Sequence, residues 1–521
     1  SDVIEIIVYD VFSVGNFFNR TDSDSRFVRH DSGTLGTDNF IAGNNAGDSI
    51  TSGGNYNTVV GNEAGTAITT GDQNVAVGYQ ALDALDTGIR NVAIGTTALT
   101  TDTKGEASTA IGHGALFTQN FTSSTTSNNT AVGYHAGVNV TTGTANTLIG
   151  SNAGDALTDA DNNVAVGVGS LGGDTQGSKS TAIGYAALFA QNFTSATHSH
   201  NVAIGNLAGT SITTGVQNTI VGSEAGDALT DADYNVAIGI GALSSDTKGN
   251  RTVAIGKGAL AVQNLTSSTD THNTAVGYEA GNQITTGQGN TLIGGLAGDA
   301  ITTGINTTIV GYLAGSGVST GTNNTMVGQG AGTAATGSYN NFFGAGNGTA
   351  AGYAMTSGSK NTILGGFSGN QDGLDIRTGD SNIVLSDGDG NPRLICNSSG
   401  VFTIKGIYDN TSGDGTNVTI NASGVIRRST SSRRYKNTIT DATHGLTELM
   451  SLRPVTYKHV ENGDTVYGGL IAEEVHDAGL TEFVQYNNDG EADALSYGNM
   501  VSLCIKAIQE LSAKNDALEA R

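Results

Sequence analysis

Residues 74–95 read NVAVGYQALDALDTGIRNVAIG, and they contain one full period of the repeat that decides the fold. The motif Asn-Val-Ala-Val-Gly at 74–78 returns as Asn-Val-Ala-Ile-Gly at 91–95. Because side chains alternate along a strand, Val75 and Val77 fall on one side and Ala76 on the other. A period of this length leaves room for two short strands and two turns, so the stretch predicts one coil of a β-solenoid.

The glycine that ends this motif recurs along most of the chain. Three equal steps lead from Gly61 to Gly112, a longer step leads to Gly133, and this set of four steps then repeats. Sixteen clear copies lie at Gly61, Gly78, Gly95, Gly112, Gly133, Gly150, Gly167, Gly184, Gly205, Gly222, Gly239, Gly256, Gly277, Gly294, Gly311 and Gly328, with weaker copies at Gly43, Gly344 and Gly365. A fixed period is typical of solenoids. We therefore expect a mainly β protein with a glycine-rich β-solenoid over residues 36–370.

Two further positions carry one residue type in nearly every coil. A small residue stands three positions after each motif glycine, and among the sixteen coils only Ser170 departs from alanine. This uniform smallness predicts a close approach of backbones, and a glycine such as Gly78 permits a sharp bend. Most coils begin with asparagine, as at Asn74, and stacked amides can hydrogen-bond along the axis. We predict a structural asparagine ladder, with ligand binding by these side chains as the alternative.

Each of the longer steps comes from a longer turn. The three turns read FTQNFTSSTTSNN, FAQNFTSATHSHN and AVQNLTSSTDTHN. They carry Phe117, Phe121, Phe189, Phe193 and Leu265. Such side chains either stack on the sugars of a receptor or pack the turn onto the solenoid, and the second interpretation is favoured.

The composition restricts the function classes. With 77 glycines, two prolines, no tryptophan and 6% aromatic residues, the chain is suited to thin cores rather than to one large core. Thin coils bury little apolar area, so lateral association should help them, and we expect a homo-oligomer, most simply a homotrimer. The net charge of −24 argues against nucleic-acid binding. No apolar run is long enough to insert into a membrane. Cys396 and Cys504 form no metal or redox motif and are interpreted as free thiols.

Acidic and histidine side chains in the turns are candidates for catalytic or metal sites. Two GDALTDAD segments place Asp155, Asp159, Asp161, Asp227, Asp231 and Asp233 in equivalent turns. A repeated acidic turn is more typical of a solvated face than of a catalytic pair, so glycosidase activity is the weaker hypothesis. The scattered histidines, His135, His198, His200 and His272, lack metal-ligand spacing. We predict no metal site and no cofactor.

The end of the chain departs from the repeat. Residues 371–430 predict a β stem of short strands joined by Gly, Asn and Asp turns. The final segment predicts a helix in which five apolar residues and Asn515 are spaced 3, 4, 3, 4 and 3 apart. We call these residues the helix stripe: Val501, Cys504, Ile508, Leu511, Asn515 and Leu518. This spacing is typical of a coiled coil, and packing of the helix on its own domain is the alternative.

The basic segment SSRRYK, residues 431–436, stands out in this acidic chain. A serine hydroxyl becomes a nucleophile only with a base, and a lysine can be that base only when it is neutral. Burial and nearby positive charge favour a neutral lysine, and Arg433 and Arg434 supply such charge. Taken alone, the segment is more typical of a solvated basic linker.

Residues 431–521 closely resemble the self-cleaving intramolecular chaperone domain of phage tailspikes and tail fibres of the endosialidase type. The similarity runs in order through SSRRYKNTI, SLRPVTYK, GGLIAEEV and LSYGNMVSLCIKAIQEL. It implies a small α+β chaperone domain with Ser431 as nucleophile, Lys436 as base, and a cut at the Thr430–Ser431 bond. Ser432 is the neighbouring alternative nucleophile, and the arginines would tune the base or hold Glu473 or Glu474. The repeat region resembles the β-roll heads of trimeric autotransporter adhesins, which also have N-[AST]-x-A-[IV]-G repeats.

These resemblances imply a phage tail fibre or tailspike, made in the host cytoplasm and carried on the virion. Residues 1–35 would connect it to other tail proteins, and the solenoid would bind a glycan or protein on the host surface. The C-terminal domain would align three chains and then cut itself off once, as a serine peptidase with a Ser–Lys dyad. The alternatives are a bacterial trimeric adhesin and a polysaccharide depolymerase.

Overall fold

A computed structural model describes residues 28–31, 36–405, 418–420, 426–428, 432–460, 464–487 and 489–521. The chain divides into two units between residues 407 and 408. The predicted connecting segment, residues 1–35, lies outside the described residues except for the strand Val28–Asp31.

The first unit is a solenoid built on one long sheet of stacked strands. The sheet has 23 strands, of which the first and the last two pair antiparallel, so 20 strands pair in parallel. The predicted β-solenoid is therefore confirmed. We call the 20 strands the main ladder: Asn39–Ala42, Thr58–Val60, Val75–Val77, Val92–Ile94, Thr109–Ile111, Thr130–Val132, Thr147–Ile149, Val164–Val166, Thr181–Ile183, Val202–Ile204, Thr219–Val221, Val236–Ile238, Val253–Ile255, Thr274–Val276, Thr291–Ile293, Thr308–Val310, Thr325–Val327, Asn341–Phe343, Thr362–Leu364 and Ile383–Ser386.

Each coil contributes one strand to the main ladder rather than the two strands predicted. The rest of the coil is turns, and residues such as Gln80 and Leu82 have φ near +54° and +53°, which ends extended structure. Backbone bonds between coils hold these turns, as where Thr69 N–H donates to the Asp86 carbonyl at 2.9 Å. Among the described coils, only the longer ones add a second ladder of two-residue strands: Gly105–Glu106 with Thr125–Thr126, Gly177–Ser178 with Thr197–His198, and Gly249–Asn250 with Thr269–Asp270.

The close approach of coils explains the repeated glycine and alanine. Gly78 has φ +136°, and a Cβ there would lie 2.5 Å from the carbonyl oxygen of Gly95 in the next coil. Ala76 and Ala81 are fully buried, and so are their equivalents along the solenoid. A larger side chain at Ala81 would push adjacent coils apart, as the uniform smallness of that position predicted, whereas the position of Ala76 also holds larger buried residues such as Leu148.

The asparagine ladder is confirmed, and its geometry is defined by the backbone. The Oδ1 of Asn57 accepts the backbone N–H of Asn74 at 2.9 Å, and the Oδ1 of Asn74 accepts that of Asn91 at 2.9 Å. The Nδ2 of Asn74 donates to the carbonyl of Gly88 at 2.9 Å. Each amide therefore joins two coils and also closes its own coil, which satisfies buried polar groups.

The longer coils replace the asparagine with a buried polar network that the sequence analysis missed. Gln191 Nε2 donates to Asp174 Oδ2 at 2.5 Å and to Ser180 Oγ at 2.9 Å, and Asn201 donates to Gln191 Oε1 at 2.9 Å. The Phe193 N–H donates to Asp174 Oδ1 at 3.0 Å. The same arrangement recurs around Asp102 with Gln119 and around Asp246 with Gln263. Burial raises the pKa of the Asp102 carboxyl above its ordinary value.

Replacing Gln191 with leucine should loosen this part of the solenoid. The substitution leaves the buried oxygens of Asp174 and Ser180 without their amide donor, at a cost of about 1–3 kcal/mol. Hydrogen exchange should speed up in the coils around residue 191. The exposed neighbour is the matched control, and Asn192→Leu should change exchange little; equal effects of the two changes would contradict a structural role for the network.

Parallel pairing continues past residue 370, the boundary predicted for the solenoid. The last residue of the asparagine ladder is Asn382, whose N–H donates to Asn361 Oδ1 at 2.9 Å. Between these two asparagines the chain forms the hairpin Asn370–Gln371 with Leu374–Asp375. Antiparallel strands Pro392–Cys396 and Phe402–Ile404 then close the sheet. Within the range predicted as the stem, Ile383–Ser386 still belongs to the main ladder.

The first described strands of the second unit are the antiparallel pair Val418–Ile420 and Ile426–Arg428. Its helices are α1 (Leu446–Ser451), α2 (Ala472–Asp477) and α3 (Tyr497–Glu519). Its described part also contains two more antiparallel pairs, Val455–Lys458 with Val466–Gly469 and Val484–Tyr486 with Ala492–Leu495. It has two short 3₁₀ turns, Arg433–Tyr435 and Thr481–Phe483. A small core joins α2 and α3: Val475, Leu480, Phe483, Val484, Met500 and Leu503.

Candidate functional site in the C-terminal unit

The basic segment is described from Ser432 onward, and Thr430 and Ser431 lie outside the described residues. Ser432 caps the 3₁₀ turn Arg433–Tyr435, and its Oγ accepts the backbone N–H of Arg434 at 3.4 Å. The Lys436 N–H donates to the Arg433 carbonyl at 3.2 Å, which closes the turn. A serine is a good cap because its oxygen satisfies an N–H that the turn leaves open.

The cationic side chains of this segment are accessible to solvent in the single chain. Arg433, Arg434 and Lys436 are exposed, and Lys436 lines an open depression of about 720 Å³ together with Arg434 and Thr438. The single chain therefore supplies the basic residues but does not supply their burial.

The two glutamates expected near the basic segment have different surroundings. Glu474 accepts hydrogen bonds from Arg453, through Nε at 3.2 Å and also through Nη2. These bonds lower the pKa of the Glu474 carboxyl. Glu473 is exposed and lines a groove of about 360 Å³ with Tyr457 and Asp493. Glu474 thus has a structural partner in Arg453, which the sequence analysis did not single out.

Carboxylates also tie α1 to the rest of the unit. Glu448 Oε2 accepts the N–H of Gly445 at 2.8 Å, and Glu510 Oε2, from α3, accepts the N–H of Leu446 at 2.9 Å. His444 Nδ1 lies 2.7 Å from Glu482 Oε1, and this bond raises the pKa of the imidazole. Glu448, three positions after Gly445, is a recognisable capping signal, whereas Glu510 is distant in sequence and could not be assigned.

Helix α3 has two apolar faces. Met500, Leu503 and Ala507 are buried against the unit's own core. The helix stripe remains exposed, with Ile508 at 65% and Leu518 at 66% relative accessibility. Helix α3 therefore packs on its own domain through one face. The other face, which has the coiled-coil spacing, stays exposed within the described part of this unit. Cys504, on the stripe, is a free exposed thiol, and Cys396 is also free.

In the solenoid, the long turns mostly pack inward. Phe121, Phe193 and Leu265 are buried, which supports the favoured interpretation of these turns. Phe189 is the exception and is 51% exposed.

The repeated acidic turns also make structural contacts. Asp161 Oδ1 accepts the N–H of Thr144 at 2.6 Å, and Asp233 Oδ1 accepts that of Val216 at 2.8 Å. Asp231 pairs with Lys248 at 3.5 Å. Burial raises the pKa of the Asp155 and Asp227 carboxyls. The Asp159 carboxylate accepts a local hydrogen bond from Thr158 at 3.2 Å, and the buried Oδ1 of Asp227 has no hydrogen-bond partner among the described residues.

The histidines of the turns stack with aromatic neighbours. His135 stacks on Tyr134 with ring centres 3.9 Å apart, and His198 meets His200 edge to face at 6.1 Å. Over the described ranges, no group of three or more His, Cys, Asp or Glu side chains is placed to hold a metal ion. None of the helices in those ranges combines the length and apolar character needed to cross a bilayer.

Comparison with known proteins gives one match. The model of a peptidase family described as chaperone of endosialidase matches residues 431–485, from the basic segment through α1 and α2. No curated protein and no solved structure matches the chain significantly. In residues 431–485 the chain therefore carries a match to the endosialidase chaperone family, which implies a self-cleaving peptidase domain that follows the solenoid in sequence.

Proposed function

We propose that this chain is a phage tail fibre or tailspike protein whose C-terminal domain assembles three copies and is then released by self-cleavage. The observation that carries the proposal is the family match, which begins at residue 431, next to the bond expected to be cut. The long solenoid that precedes the match is the part that would remain on the virion and contact the host surface.

The proposed cleavage is a serine-dependent acyl transfer. The Ser431 Oγ attacks the carbonyl carbon of Thr430 while Lys436 accepts the hydroxyl proton. The Thr430–Ser431 amide bond breaks, the Ser431 nitrogen takes a proton from Lys436, and an ester joins the two residues. Water then hydrolyses the ester, leaving a carboxylate on Thr430 and a free amine on Ser431. The reaction happens once per chain because it separates the substrate from the catalyst.

Assembly would make this chemistry possible. Lys436 is exposed in the single chain, and a lysine becomes a base when it is desolvated among other cations. Three basic segments brought together would provide both conditions. Cleavage after assembly would then leave the solenoid kinetically trapped, because the domain that guided assembly is gone.

The helix stripe is the proposed contact between the C-terminal domains. Its heptad spacing and exposure favour a coiled coil, with Asn515 at an a-type position that can fix the register.

Replacing Ile508 with aspartate should prevent trimer formation and, with it, cleavage. Three carboxylates would be buried in one layer of the coiled coil, which costs several kcal/mol. Sedimentation should give a monomer, and intact mass should give the uncut chain. Ala513→Asp adds the same charge at an outward heptad position and should leave both properties unchanged; a trimer that persists in Ile508→Asp would contradict the stripe as the contact.

The proposed chaperone role is tested by making residues 1–430 without the C-terminal domain. Thin coils from separate chains must meet in register before they bury much surface, which is slow for non-local contacts. The truncated chain should give monomers or aggregates, while the full chain should give a trimeric solenoid of the same residues. Reversible assembly of residues 1–430 into trimers would refute the chaperone role.

We further propose that the solenoid binds a host-surface glycan or protein and that residues 1–35 join it to other tail proteins. Exposed aromatic side chains such as Phe189 support a sugar-binding function. A glycan array probed with the cleaved solenoid tests this, and shortening of a bound glycan would instead indicate a depolymerase.

A further inference from the structure

The outward side of the main ladder carries two uniform columns of uncharged side chains, and the column of third residues is apolar. In each three-residue strand the middle side chain points into the core, and the first and third point outward, as in the burial pattern of Val75–Val77. From Thr58–Val60 to Thr362–Leu364 there are 18 such strands. Their third residues are Val or Ile except for Phe343 and Leu364, and their first residues are Thr or Val except for Asn341. We call these two columns the ladder face.

The ladder face is accessible in the single chain. Several third-column residues are more than a third exposed, among them Ile149 at 39%, Ile204 at 37% and Ile293 at 42%. The neighbouring strands are paired in register, with Val202 beside Thr219 and Ile204 beside Val221, so these side chains form continuous rows. An apolar surface this long and continuous marks an interaction site in soluble proteins.

The charges of the solenoid lie elsewhere. No Asp, Glu, Lys or Arg occurs in the main-ladder strands from Thr58 to Leu364, all of which are described. Acidic side chains such as Asp161 and Asp231 occupy the turns between strands. Copies of a chain with a net charge of −24 repel each other, so they associate most easily through a face that carries no charge.

The size of the ladder face is sufficient for stable association. A strand of three residues is about 10 Å long, and 18 coils at about 4.8 Å extend about 86 Å, which gives roughly 860 Å². A typical stable interface buries about 800 Å² on each partner. A partner that covers this whole length must present an equally long apolar surface with the same coil spacing, and another copy of the ladder face meets both conditions.

We propose that the ladder face is the surface through which copies of this chain pack against each other, parallel and in register. The inference rests on the proposed homotrimer and adds to it the face, the direction and the register of contact. Identical coils then lie at the same height around one axis, and the Thr/Val and Val/Ile columns form the common core. The turns, with their charges and long loops, face solvent.

Cysteine cross-linking of the full chain tests the proposal directly. In a Cys396→Ser, Cys504→Ser background, Ile204→Cys places a thiol on the ladder face, and Thr214→Cys places one on an exposed turn of the same coil. A short bismaleimide should give covalent dimers and trimers from Ile204→Cys and none above background from Thr214→Cys. Mixing Ile204→Cys with Ile293→Cys during expression should give no heterologous cross-link, because an in-register arrangement separates these coils.

A charge test complements the cross-linking. Ile149→Lys, Ile204→Lys and Ile293→Lys together should leave the cleaved solenoid monomeric, since each copy would bury three ammonium groups. Thr142→Lys, Thr214→Lys and Thr286→Lys add the same charge on equivalent exposed turns and should leave the trimer intact.

The outcomes separate the inference from the proposed function. A trimer without cross-links from Ile204→Cys overturns the ladder face as the contact and leaves the trimer standing. A monomeric parent chain overturns both. Cross-links between residues 204 and 293 overturn the register, and efficient cross-links from Thr214→Cys overturn the choice of face.

Discussion

Replacing Ser431 with alanine should leave the polypeptide whole, whereas the parent chain should separate into residues 1–430 and 431–521. Removing the nucleophile of a serine peptidase lowers the rate by about 10⁶-fold, so no fragment should form during expression and purification. Intact mass spectrometry and a denaturing gel measure the result. N-terminal sequencing of the smaller fragment should begin at Ser431.

Substitutions of Lys436 and Ser432 test the assignment of roles. Lys436→Arg keeps the positive charge but cannot become neutral at physiological pH, so it should block cleavage as completely as alanine does. Ser432→Ala should still be cut, because the proposed nucleophile is Ser431 and the Ser432 hydroxyl caps the 3₁₀ turn. If Ser432→Ala blocked the reaction and Ser431→Ala did not, the nucleophile would be Ser432.

Replacing Gly294 with alanine should open the solenoid locally. Gly294 has φ +134°, and a Cβ there would lie 2.6 Å from the carbonyl oxygen of Gly311. The backbone conformation alone costs an alanine about 1–3 kcal/mol, and the overlap with the next coil adds to this. Hydrogen exchange should accelerate in the coils on both sides of residue 294, and protease cleavage should appear there.

Gly295 provides a control one residue away. Its added Cβ would make only an ordinary contact, 3.5 Å from the ring of Tyr312. Gly295→Ala should therefore leave exchange rates and protease resistance nearly unchanged. Equal disruption by both alanines would show that the left-handed conformation and the coil contact are not the reason for the repeated glycine.

The sequence predicted the solenoid because its determinants are local and repeated. The glycine, the alanine and the asparagine each act within one coil or between neighbours, so their spacing alone indicates their function. The polar networks escaped prediction because Gln191 and Asp174 lie in successive coils, at a place where the motif asparagine is replaced by Ser180. The single strand per coil was also missed, because left-handed turn residues such as Leu82 carry no sequence signal for that conformation.

For the candidate site, the sequence predicted which residues would react but not the surroundings of their side chains. The order of Ser431 and Lys436 is a local pattern, and the family match begins at the same residue. Lys436 is exposed in the single chain. The proposed function requires it to become buried by other copies of the chain, which the sequence of one copy does not predict. The pairing of Glu474 with Arg453 depends on how α2 folds back on the preceding segment, which no local pattern encodes.

The antiparallel strands at both ends of the main ladder have a consequence for solubility. A parallel stack of coils that ended bare would offer its last row of N–H and C=O groups to the first coil of another molecule, and filaments would grow end to end. Val28–Asp31 occupies that row at one end, and Pro392–Cys396 followed by Phe402–Ile404 occupies it at the other. The row that each end of the parallel stack would otherwise offer to the first coil of another molecule is therefore already paired within the chain.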